Sequence, residues 1–178
     1  MPGSLNDILP EPISVENEEV VLDHFKRKMK IAAEVAVLLL HGMEDRFGAE
    51  AREVVRHMAK GLTPIPHSDP GKTETDLYKF CAQLDKNCAG SHKWQRVINE
   101  PGQVGYHYTR CMWAEIFHEL GEPELGLVIC ATDEPAVKAY NAGLGFARTK
   151  TLMDGDQLCD HIFYVEREEE SHERRIGS

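Results

Sequence analysis

Apolar residues recur at helical spacing through the first half of the chain. Ser14, with Glu18 and Glu19 behind it, marks a helix start, because acids in a first turn complement the helix dipole. Val20, Leu22, Phe25, Met29, Ile31, Ala32, Val35, Leu38 and Leu39 carry the period to His41–Gly42, which reads as a C-cap. A second helix is predicted from Met43 to Lys60, with Phe47, Ala51, Val54, Val55 and Met58 apolar and Gly61 closing it. Residues 63–71 hold Pro64, Pro66 and Pro70, each lacking a backbone donor, and read as a loop. Thr73 or Thr75 then caps a third helix over about Glu74–Lys86, carrying Leu77, Phe80, Cys81 and Leu84.

The pattern changes at Gly90. Trp94–Ile98 and Val104–Arg110 read as strands around the turn Asn99-Glu-Pro-Gly102. Met112–Leu120 returns to helical spacing and stops at Gly121, and Pro123 opens another helix through Cys130. Asp133–Tyr140 continues that pattern after a break at Pro135. Phe146–Met153 and Leu158–Val165 are predicted strands joined by Asp154-Gly155-Asp156, a hairpin signal. Strands segregated from helices in this way pair antiparallel. The expected fold is α+β, with N-terminal helices packed on a small antiparallel sheet of two hairpins and a helical excursion between them.

Charge and length set the class. The chain has 178 residues, 30 Asp and Glu against 20 Lys and Arg, and a formal net charge of −10. It has no basic cluster to displace phosphate counterions, so no nucleic-acid partner is expected. No uncharged apolar run approaches the ~18 residues of a membrane span. The longest run, Val35–Leu40, lies behind Lys26, Arg27, Lys28 and Lys30 and does not read as a secretory signal. Five cysteines, Cys81, Cys88, Cys111, Cys130 and Cys159, make an odd and widely spaced set, which points to a reducing cytoplasm. Residues 1–13 are expected to be flexible, 14–166 to form a single domain, and the charged end, 167–178, to be a disordered tail. The Val35–Leu40 run leaves room for a homodimer.

Several residues of the second half suit chemistry. Cys111 falls where a strand meets a helix N-terminus, whose amides lower a thiol pKa. His107 lies four residues earlier, an even offset that places it on the same strand face. Cys111 can therefore act as a nucleophile with His107 moving the proton, or simply fill a helix–sheet interface. Cys130 and Asp133, three apart, share a helix face. Asp133 can orient a base, act on water itself, or only cap the helix at Glu134-Pro135. Cys159 and His161 point to one strand face and Asp160 to the other. Tight Cys-x₂-Cys pairs are missing, so no metal site and no cofactor is implied. His24, His41, His57, His67, His92 and His172 read as surface, and Cys81 and Cys88 receive no role.

Three segments carry a resemblance: Arg110-Cys-Met-Trp-Ala-Glu-Ile-Phe-His-Glu-Leu-Gly-Glu-Pro-Glu-Leu-Gly126, Cys130-Ala-Thr-Asp133, and Arg148-Thr-Lys-Thr-Leu-Met-Asp-Gly155 followed by Cys159-Asp160. Together they resemble the L-2-amino-thiazoline-4-carboxylic acid hydrolase family over about the C-terminal half. The resemblance implies a hydrolase opening a C–N bond in a small cyclic amidine-type substrate, as when a thiazoline becomes S-carbamoyl-cysteine. It would place Cys111, Asp133, His107, Cys130 and Cys159 in catalysis. Arg110, Arg148 and His161 would bind substrate, the arginines through its carboxylate. His161 stands where the family pattern carries an aromatic. The last hairpin is also similar to 4-vinyl-reductase-like ligand-binding domains, which implies the alternative of a small-molecule or lipid-binding module without chemistry. A Cys-rich structural metal domain is a third alternative.

Overall fold

A computed structural model of the chain describes residues 3–60 and 73–166. The proline-rich loop and Gly61 lie outside the described residues, as does the charged end, 167–178. Residues 3–13 are tied down by local bonds: Asp7 accepts from the amides of Gly3 and Ser4, and Asn6 bonds Ile13 in both directions.

The first helix, α1 (Val15–Phe47), is capped by Ser14 and runs 33 residues, straight through Gly42. It ends at Gly48, whose positive φ of 79° suits glycine. A single interior glycine removes side-chain packing but no backbone hydrogen bond, so the predicted break at Gly42 does not form. After it come α2 (Glu50–Lys60) and α3 (Thr73–Cys88). Strands β1 (His92–Glu100) and β2 (Gln103–Cys111) form a hairpin around Gly102, φ 75°. The excursion consists of α4 (Met112–Glu119), α5 (Pro123–Cys130) and α6 (Asp133–Tyr140). The predicted break at Pro135 falls earlier, at Ala131–Thr132, and Pro135 sits in the first turn of α6, where its missing N–H has no partner to lose.

The sheet has four antiparallel strands in the order β1-β2-β4-β3, where β3 is Leu144–Ala147 and β4 is Cys159–Val165. The α+β class stands, but the second hairpin differs from expectation. β3 ends at Ala147, and residues 148–158 form a long link containing a 3-10 turn at Leu152–Asp154. Asp160 holds that link by accepting the amides of Thr149 and Lys150 at 2.8 and 2.6 Å. Those amides are therefore lost to any β-ladder.

Two cores result. One, beneath α3, combines Leu77 and Cys81 with Val104, Tyr106 and Tyr108 of β2 and Phe163 of β4. The other joins Met29, Ala33 and Leu40 of α1 to Met112, Ile116 and Phe117 of α4. Among the described residues no helix is long and apolar enough to cross a membrane.

Candidate active site

A cavity of about 310 Å³ lies where the two cores fail to merge. Phe80, Leu84 and Cys88 of α3 line one side, and Tyr108, Cys159, His161 and Phe163 of the sheet form another. Trp113 and Ala114 of α4, Ile129 and Cys130 of α5, and Asp133 of α6 close it with Arg148 and Thr151–Met153 of the link. The sheet residues follow from register: Tyr108 pairs with Cys159 and Tyr106 with His161, so their side chains share the covered face.

Cys111 reaches this face through a β-bulge. Lys93 pairs with Arg110 but Trp94 with Tyr108, leaving Thr109 as an extra residue on β2. The extra residue reverses the alternation, turning Cys111 to the Tyr108 face. The expectation that His107 shares a face with Cys111 is therefore corrected. His107 pairs with Asp160, which faces away from the cavity, and does not line it.

Cys111 is the N-cap residue of α4, as its place in the sequence suggests, but its sulfur makes no capping hydrogen bond. Burial pushes its thiol up to about 11, against the pull of the Ala114 and Trp113 amides. Desolvation thus outweighs the helix terminus. Burial also raises Cys130 above the ordinary thiol range and takes Cys88 to about 12. Cys159 accepts the Leu152 amide at 3.2 Å and lies 3.7 Å from Thr151 Oγ1, which also sits 3.8 Å from Cys130 Sγ. Three of the predicted thiols, Cys111, Cys130 and Cys159, thus line the cavity. Among the described residues no three His, Cys, Asp or Glu side chains are arranged to hold a metal ion.

Asp133 does not cap its helix; Thr132 occupies that position, and Asp133 is the first helical residue. Its Oδ2 accepts from Arg148 Nη1 at 2.6 Å, while Arg148 Nη2 donates to the Cys130 carbonyl at 3.2 Å. Burial raises the Asp133 carboxyl to about 6, and Arg148 pulls against that shift. The side chain keeps 35% of its exposure, so solvent in the cavity reaches it and tempers the upward shift. Arg148 is thereby engaged with Asp133 and the backbone. Arg110 lies outside the cavity lining, forked onto Glu115 at 2.5 and 3.1 Å.

His161 lies among the rings of Tyr108 and Phe146, with centroids at 4.8 and 5.1 Å. Its Nε2 is buried without a hydrogen-bond partner. Burial drives its pKa down to about 3, with Arg148 adding to the effect.

Two residues without a predicted role also line the cavity: Cys88, and His92, whose expected place at the surface is corrected. His92 bonds Ser91 Oγ through Nδ1 at 2.8 Å, and burial lowers it to about 4. It starts β1 opposite Cys111. Cys88 ends α3 one turn beyond Leu84, and that helical spacing was the available signal.

An internal cavity between helices and one face of a four-stranded antiparallel sheet defines an α+β domain of the pocket-containing type. The chain belongs to the L-2-amino-thiazoline-4-carboxylic acid hydrolase family, whose pattern it matches over residues 28–163. The match begins inside α1, well before the C-terminal half that carries the recognisable motifs. No curated protein matches the sequence. Among solved structures, the chain is similar to the phenol-responsive sensory domain of the transcription activator PoxR, crystallised with phenol. That likeness has 9% identity, covers 79% of each chain and has a TM-score of 0.39.

Proposed function

We propose that the protein hydrolyses a C–N bond in a small cyclic amidine-type substrate, with Asp133 as the general base that activates water. The observation that carries this reading is the place of Asp133 on the cavity lining, its Oδ2 held by Arg148 at 2.6 Å, beside thiols that burial keeps protonated. Asp133 has a carboxyl near 6, a carboxylate at neutral pH yet a stronger base than an ordinary one. Cys88, Cys111 and Cys130 are displaced upward by burial and remain thiols there. A thiol is a far weaker nucleophile than its thiolate.

In this mechanism Asp133 takes a proton from water as the water oxygen bonds to the ring carbon. The C=N electron pair moves to nitrogen, giving a tetrahedral intermediate. Asp133 passes that proton to the ring nitrogen, then carries the intermediate's hydroxyl proton to the same nitrogen as the C=O bond forms and the C–N bond breaks, so one water is consumed and the carboxylate is restored. Arg148 holds Oδ2 and leaves Oδ1 for the water. His161 would present the flat face of a neutral ring to the cavity beside Tyr108 and Phe146. The aromatic walls, Tyr108 and Phe163 among them, would take a flat small molecule by its faces.

The test is ring opening of L-2-amino-thiazoline-4-carboxylate by purified protein. Asp133→Asn should cost about 10²–10⁴ in rate, Cys111→Ser should stay within a few fold of the parent, and the rate should fall as pH drops through about 6. An inactive Cys111→Ser beside an active Asp133→Asn would move the role to the thiol. Tight binding without turnover would favour the binding-module reading, which draws its support from the same apolar walls and protonated thiols.

A further inference from the structure

We propose that α1 is the seam of an antiparallel two-fold homodimer centred near Val35. The helix has two apolar faces. Met29, Ala33 and Leu40 are buried against the domain. Roughly opposite, Ile31, Val35, Leu38 and Gly42 follow one another at steps of four, three and four, the repeat by which one helix packs along another. No described residue covers them: Ile31 is 61% exposed and Leu38 72%. The α1 residues Leu39, at 62%, and Phe47, at 70%, widen the stripe toward α2, whose Val54 and Met58 form a groove with Met43 and Phe47.

Gly42 points to what covers this face. In a helix interior glycine is about 1 kcal/mol worse than alanine, and such a residue needs a reason. Within the protein it has none, since a Cβ built there meets nothing within 4 Å. On the seam it gives a second helix backbone room for close approach. The exposed apolar side chains from Val20 to Phe47 offer roughly 800 Å² per copy, what a standard stable interface takes from each partner. Another copy supplies a face of the same length and character.

Direction follows from the ends. Parallel pairing would set Lys28 against its own copy and align the two helix dipoles. Antiparallel pairing about Val35 brings Lys28 to the level of the other copy's Gly42, where its stem has space. It also brings Phe25 to the level of the α2 groove, and the dipoles oppose. The interface is then isologous and closes at two copies.

The full chain should sediment as a dimer at 10–100 μM, and Leu38→Glu should make it monomeric. Gly42→Leu separates the seam from the fold. It should leave the monomer's thermal midpoint unchanged or higher while weakening association at least tenfold. Direction is read by oxidising a mixture of Lys28→Cys and Gly42→Cys proteins, which should yield the mixed cross-linked pair. A wild-type chain of monomer mass at 100 μM overturns the proposal. A Gly42→Leu dimer of undiminished affinity, or cross-links only between identical variants, overturns the seam or its direction.

Discussion

The face of β2 beneath α3 and the outer face of α1 contain similar residues under opposite conditions. Val104, Tyr106 and Tyr108 are all nearly inaccessible, each pressed between a helix and a neighbouring strand. On α1 only three side chains of 33 residues are fully buried, while Ile31, Leu38 and Leu39 remain in solvent. Apolar periodicity therefore says that a segment wants a partner, and only the tertiary structure says whether the chain supplies it. The same distinction explains the cavity, which opens where the α3–sheet core and the α1–α4 core, each complete by itself, leave a gap between them.

Two adjacent leucines give the sharpest way to break this comparison. Leu40 is 1% exposed and packs with Met112 and Ile116, whereas Leu39 faces outward. Leu40→Ala should lower the unfolding free energy by about 2–5 kcal/mol, the range for a buried leucine. Leu39→Ala, measured in dilute protein, should stay within about 0.5 kcal/mol. Equal losses by denaturant titration would mean that the outer face of α1 is covered within one chain.

This contrast also marks what could be read from sequence. The existence and order of the six α-helices and four strands among the described residues follow from period and punctuation, because hydrophobic spacing reports which face must be hidden. The failures have local causes. Gly42 resembles a stop because glycine often ends helices, yet its cost is too small to end one with 5 further residues of helix after it. The second hairpin is looser than its turn signal predicts, since Asp160's hold on the Thr149 and Lys150 amides is a side-chain effect with no periodic signature. In the site, the grouping of Cys111, Cys130, Asp133, Cys159, Arg148 and His161 around one cavity agrees with the motif residues. The bulge at Thr109 was invisible, and one inserted residue was enough to exchange His107 for Cys111 on the inner face. The thiol of Cys111 also depends on burial, which outweighs the effect of a helix N-terminus and has no signature in the sequence.

A smaller effect separates two helical glycines. Gly126 of α5 is buried, and a Cβ there would collide with the Met153 side chain and come within 2.9 Å of Phe117 Cγ. Both neighbours belong to the packed α1–α4 side, and Met153 is itself 1% exposed, so neither can yield freely. Gly126→Ala should destabilise by about 1–3 kcal/mol through overpacking. Gly42→Ala, meeting open space, should stabilise the monomer by up to about 1 kcal/mol. Thermal melts of the two variants should therefore move in opposite directions.

The smallest expected effect lies at the cavity and appears only with pH. His161 and His92 are held neutral, near 3 and 4, whereas in an unfolded chain they take a proton at about 6.5. Between those values the unfolded state binds two more protons than the native state, so stability rises with pH and is lost as pH falls below about 6.5. Asp133 works the other way. Its native carboxyl binds a proton near 6, against 3.8 unfolded, and cancels part of the loss between those values. About one unmatched proton remains from pH 6 down to 4. His161→Phe keeps a flat ring beside Tyr108 and Phe146, removes an unpartnered buried nitrogen, and removes one of the two protons. The variant should match or exceed the parent's melting temperature at pH 7.5, and its advantage should widen by a few degrees at pH 5. An advantage that stays constant from pH 7.5 to 5 would mean that His161 takes up its proton in the folded protein. In that case a cationic His161, rather than a neutral one, would face the cavity.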